Sequence, residues 1–78
     1  MEREKIRVFK DNNGVEIEFE QKRYGNGEIL IHMYVVVNGH YLATKAFFTD
    51  RKRAFRMIKV CENAKENLLL QAVFSELH

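Results

Sequence analysis

The residue types able to do chemistry are few in this chain, and their spacing decides how each reads. The three histidines, His32, His40 and His78, offer no spacing at which two of them would share a metal ion. The single cysteine, Cys61, has no partner for an internal disulfide or a cysteine-rich zinc site. It falls on an apolar stripe at helical spacing, which predicts a small buried hydrophobe. A lone thiol also fits a reducing, cytoplasmic compartment. Glu16, Glu18 and Glu20 alternate at period two, so three carboxylates share one side of a strand. Such a triad repels itself and suits a solvated acidic stripe or a basic partner better than paired acid–base work. Gly25-Asn26-Gly27 runs into a strand pattern, without the Lys-Ser/Thr and helix of a phosphate loop, and reads as a turn. These spacings supply no catalytic residue, no metal site and no cofactor site. The expectation is a non-enzymatic binding protein.

One charge cluster stands apart. Arg51, Lys52, Arg53, Arg56 and Lys59 place five cations and no anion within nine residues. Since the whole chain carries +2, the remainder sums to −3. The cluster opens a predicted helix, where the macrodipole already carries about half a positive charge and acidic residues are preferred. An anion would relieve that repulsion, because exposed N–H groups and cationic side chains converge on a phosphate-sized target. These five are the candidate anion-binding or nucleic-acid-binding residues.

Behind these groups stands a short chain. Seventy-eight residues allow one small domain, residues 1–78, with no room for separate cofactor and substrate domains. At 46% apolar residues, with six Phe and three Tyr, it is too hydrophobic for a disordered segment. The charged start Met1-Glu2-Arg3-Glu4-Lys5 runs into an alternating pattern and not into a signal-peptide apolar core, so no targeting segment is expected. The apolar runs 33–37 and 68–70 fall far short of the roughly 20 residues that span a bilayer.

Turn signals at Asp11-Asn12-Asn13-Gly14, Gly25-Asn26-Gly27 and Asn38-Gly39 divide the first fifty residues. They predict an antiparallel meander of four strands near 4–10, 15–24, 28–38 and 40–48. A two-residue Asn13-Gly14 turn sets Val8 opposite Phe19 and Arg7 opposite Glu20. The second hairpin is apolar on both sides. Leu30, Tyr34, Val36, Tyr41 and Phe47 share one face with His32 and Lys45. Ile29, Ile31, Met33, Val35, Val37, Leu42, Ala46 and Phe48 share the other. A half-solvated sheet would show polar residues outside, so a partner or dimer surface is expected there, with packing against the chain's own helix as the plainer alternative. Tyr34 and Tyr41 beside Lys45 and His32 also present rings on which bases could stack, against ordinary aromatic packing.

Thr49-Asp50 supplies helix-capping chemistry where period two ends. Ala54, Met57, Ile58, Cys61, Ala64 and Leu68 then form one helical stripe, opposite Lys52, Arg56, Lys59, Asn63 and Glu66. Leu69, Leu70, Val73, Phe74 and Leu77 keep helical spacing. One helix over 50–77 would run about 42 Å and overhang strands of about 33 Å, leaving its Leu/Phe end for a second subunit. A break near residues 63–67 would fold that end back, and a short edge strand at 68–75 is a third option. The predicted class is α+β: a four-stranded antiparallel meander followed by a C-terminal helix, single or divided, packed on one sheet face.

The run Val37-Asn38-Gly39, then Thr49-Asp50-Arg51-Lys52-Arg53-Ala54, resembles the C-terminal half of double-stranded-RNA-binding domains. That resemblance implies a basic helix start touching phosphates, although the family's N-terminal helix has no counterpart here. The order of strands and helix is also similar to the arm-binding domains of phage integrases, with the Phe48-Thr49 to Ala54 spacing differing by one residue.

Two functional classes follow. The first is a phage-type or prokaryotic-type inhibitor or adaptor that docks on a protein through Tyr34, Val36, Tyr41, Phe47, Leu69, Leu70, Val73, Phe74 and Leu77, with the basic helix start facing anionic surfaces. The second is a dimeric nucleic-acid-binding protein that grips phosphates with that helix start. Both expect a homodimer, no cofactor and no membrane.

Overall fold

Turn chemistry sets the sheet. The computed structural model describes residues 2–48, 50–64 and 68–77, with residue 2 and residues 43–48 through their backbone alone. Four strands, β1 (Glu2–Lys10), β2 (Val15–Arg23), β3 (Ile29–Val37) and β4 (His40–Phe48), pair antiparallel in the order β1-β2-β3-β4. Asn38 and Gly39 have φ of 51° and 85°, the double positive-φ turn that matches strand twist, and Val37 stands opposite His40. Gly14 is required twice over: its φ is +78°, and a Cβ there would run into the Asn38 side chain. Its carbonyl accepts from Asn38 N–H at 2.8 Å, which ties two turns at one end of the sheet together.

The first hairpin differs from the expected register by one residue. Val8 lies opposite Glu18 and Arg7 opposite Phe19. The reason is the turn. Asp11 Oδ1 accepts from the N–H groups of Asn13 and Val15 at 2.8 and 3.0 Å, and Asp11 N–H donates to the Val15 carbonyl. The link is therefore the wider Asp11–Gly14 turn. A bulge between Lys5 and Arg7 then shifts the ladder again and sets Lys5 opposite Glu20.

The chain after the sheet divides into two helices, α1 (Arg51–Asn63) and α2 (Leu69–Leu77). Asp50 caps α1 by accepting from Lys52 N–H at 2.9 Å; Thr49, the other residue of the expected cap, lies outside the described residues. Ala64 leaves α1 with extended backbone, at φ −67° and ψ 138°. The break lets α2 fold back, so neither a continuous helix nor an edge strand at 68–75 forms.

One core results. Val15, Ile17 and Phe19 of β2 and Ile31, Met33 and Val35 of β3 meet Ala54, Met57, Ile58 and Cys61 of α1 and Leu69 and Val73 of α2. The architecture is α+β, with both helices on one face of the meander. Leu68, expected on the buried stripe, is exposed. Leu69 and Val73, expected on a partner surface, are buried in the chain's own core at 4% and 0% exposure. Of the three options for the Leu/Phe segment, the break that folds it back onto the chain's own sheet is the one found.

Candidate functional site

Helix geometry positions the cationic residues. The buried side of α1 is Ala54, Met57, Ile58 and Cys61. Lys52, Arg56 and Lys59 repeat at i, i+4 and i+7 on the opposite side, flanked by Arg51 and Arg53, and all five are exposed. No acidic residue occupies the first turn of α1, so Asp50 alone answers the helix dipole. Arg53–Arg56, Arg56–Lys59 and Lys52–Arg56 are like-charge neighbours at i+3 or i+4, each costing a few tenths of a kcal/mol. None of the five takes part in the four ion pairs among the described residues. Glu76 of α2 lines the same hollow of about 160 Å³ as Arg53 and Arg56 without reaching ion-pair distance. Among the described residues, this face of positive charge has no ion-pair partner.

The acidic stripe lies elsewhere and is already occupied. Glu16, Glu18 and Glu20 lie on the sheet face away from the helices, beside Lys10 at 3.5 Å, Lys5 at 3.3 Å and Arg3 at 3.9 Å respectively. Glu18 also accepts from the Tyr41 hydroxyl at 3.2 Å. The pairing with Glu18 raises the pKa of Lys5, and the Glu18 charge raises that of Tyr41. The stripe compensates β1, across the sheet from the α1 cations.

The aromatic row of that face is likewise engaged with itself. His32 stacks on Tyr34 at 6.2 Å and 15°, Tyr41 meets Tyr34 edge-on at 6.0 Å, and Lys22 Nζ lies 5.4 Å from the Tyr34 ring centre. Tyr24 Oη lies 3.4 Å from His32 Nε2. Tyr34 thus serves packing, not an open stacking platform, while Tyr41 remains 63% exposed. Val36 is buried on the same face. The Phe47 side chain lies outside the described residues, and its backbone pairs with His32.

Of the expected α2 anchors, Leu70 and Phe74 are half-buried and only Leu77 is exposed. Burial pushes the Cys61 thiol up to about 11, which makes it a poor nucleophile. Among the described residues no three His, Cys, Asp or Glu side chains converge as a metal site requires, and no helix is long and apolar enough to cross a membrane.

One residue escaped the sequence reading. Phe55 of α1 is 53% exposed, one helical turn from both Arg51 and Lys59. It borders a groove of about 380 Å³ shared with Ile6, Arg7, Ile58, Lys59 and Glu62. The available signal was its spacing: i+4 from one cation, i−4 from another, and off the apolar stripe.

Comparison with family models, with curated proteins and with solved structures finds no match to this chain.

Proposed function

We propose that this is a non-enzymatic nucleic-acid-binding protein that grips phosphates with the outer face of α1. The observation that carries the reading is the set of five exposed cations with no ion-pair partner among the described residues. They lie where the helix dipole and their own mutual repulsion oppose them. Charge that lowers the stability of the free protein fits a polyanionic ligand. The reading as an inhibitor or adaptor that docks through the apolar sheet face and the C-terminal helix loses Val36, Leu69 and Val73 to burial, which leaves the cationic face as the better supported surface.

Fluorescence anisotropy with labelled oligonucleotides at low salt tests this. If Lys52, Arg56 and Lys59 each neutralise one phosphate, log K falls with log salt at a slope of about −2 to −3. Reversal of two of them, Lys52→Glu with Arg56→Glu, should lower affinity by about a hundredfold while the circular dichroism spectrum stays unchanged. Failure of both DNA and RNA to bind at low salt would overturn the reading. Nuclease-resistant capture of a stoichiometric protein would then favour the inhibitor class.

A further inference from the structure

We infer that this surface selects single-stranded over duplex nucleic acid, with an unpaired base stacked on Phe55 and its flanking phosphates held by neighbouring cations of α1. The inference rests on the reading of α1 as the phosphate-binding face. It adds a base-binding element that charge alone does not supply.

Phe55 is 53% exposed on a helix whose other large apolar residues, Met57 and Ile58, are buried and whose Val60 is half-buried. Helical spacing sets Arg51 at i−4, Lys52 at i−3 and Lys59 at i+4 from it, so the exposed residue borders the cationic face on the side toward β1. The groove beside it has an apolar floor from Ile6 and Ile58. Its one carboxylate, Glu62, is answered by Arg7 Nη1 at 2.7 Å, and the Arg7 guanidinium lies 4.7 Å from the Phe9 ring centre. The wall facing a ligand therefore carries no uncompensated negative charge.

An aromatic ring flanked by cations matches a ligand with planar apolar faces and a regularly spaced anion, which is an unpaired nucleotide run. In a duplex the bases stack on one another and offer the ring nothing, so a duplex would engage only the cations. An acidic polypeptide would likewise satisfy the cations and leave the ring without a partner. Of the other rings, Tyr34 is covered by His32, Tyr41 and Lys22, and Tyr41, although 63% exposed, donates to the Glu18 carboxylate beside the acidic stripe, where a phosphate would be repelled.

The chain has no tryptophan, so Phe55→Trp installs a single indole at the proposed stacking position, excited selectively over the tyrosines at the red edge of the absorption. Oligothymidylate or oligouridylate should quench it on binding, and a DNA hairpin duplex should not. The DNA and RNA arms report which sugar the surface accepts. By anisotropy the wild-type protein should bind the single strand about tenfold more tightly than the hairpin, and Phe55→Ala should bring that ratio close to one. Circular dichroism of both variants checks that they fold. Equal or tighter binding of the hairpin by the wild type would overturn the inference, as would an unquenched Trp at position 55 in a bound complex; the phosphate grip would survive either result. Binding of polyglutamate in place of every oligonucleotide would remove both.

Discussion

On the uncovered side of the sheet, Glu16, Glu18 and Glu20 each lie beside a cation of β1; on the outer side of α1, five cations meet no carboxylate among the described residues. Both regions are highly charged, and their charges have different uses. In the sheet, register places residues of opposite sign at cross-strand distance, so charge is spent on holding β1 to β2. In the helix, Lys52, Arg53, Arg56 and Lys59 are like-charge neighbours at i+3 and i+4, and the one carboxylate of α1, Glu62, pairs with Arg7 of β1. The acidic stripe cannot reach across, because the core separates the two faces. Paired charge serves the fold, whereas the α1 cations have no ion pair among the described residues.

Removal of the paired charge should give the largest stability effect. Glu18 is only 7% exposed and holds both Lys5 and Tyr41. Glu18→Ala should cost about 1–2 kcal/mol in urea unfolding, since the buried carboxylate accepts charge-assisted bonds but its partners are largely solvated. Oligonucleotide affinity should hold, and a parallel loss of affinity would break the contrast. The pH dependence has a definite sign. Lys5 and Tyr41 both have raised pKa values, so their contribution is present below about pH 10 and lost as pH rises through the folded-state values. That alkaline loss should be smaller in the Glu18 variant.

Asp50 is the acidic group that caps the α1 N-terminus. Asp50→Ala should cost about 1 kcal/mol of stability through the lost cap, with phosphate affinity unchanged or increased. The smallest effect has the opposite sign: Arg51→Glu should stabilise the free protein by about 0.3–1 kcal/mol, by complementing the dipole, while weakening binding. A melting temperature lowered by that change would mean that the cation serves the fold after all.

Much of this architecture was legible in the residue pattern. Asn38-Gly39 announced its hairpin, and the placement of Ile31, Met33 and Val35 of β3 on the core face followed from period two. The helical stripe located Ala54, Met57, Ile58 and Cys61 in the core and Lys52, Arg56 and Lys59 opposite them. The register of the first hairpin was not legible, because Asp11-Asn12-Asn13-Gly14 permits more than one turn and only the Asp11 hydrogen bonds choose between them. The fate of α2 was equally hidden. Leu69 and Val73 keep the same spacing whether they face a second subunit or their own sheet. Phe55 went unnoticed because an aromatic residue in a helix reads as core until its neighbours are known.

What the sequence determined by itself was local: the turns, the periodicities, one capped helix start and five cations collected on one helical side. These depend on spacing and backbone preference within a few residues. Only the tertiary structure decided which charges would meet. Cross-strand pairing brought Glu16, Glu18 and Glu20 to β1, and the helix break turned α2 inward. The near-neutral total thus separates into a neutralised sheet face and a cationic helix face, because electrostatic compensation depends on distance in space and not along the chain.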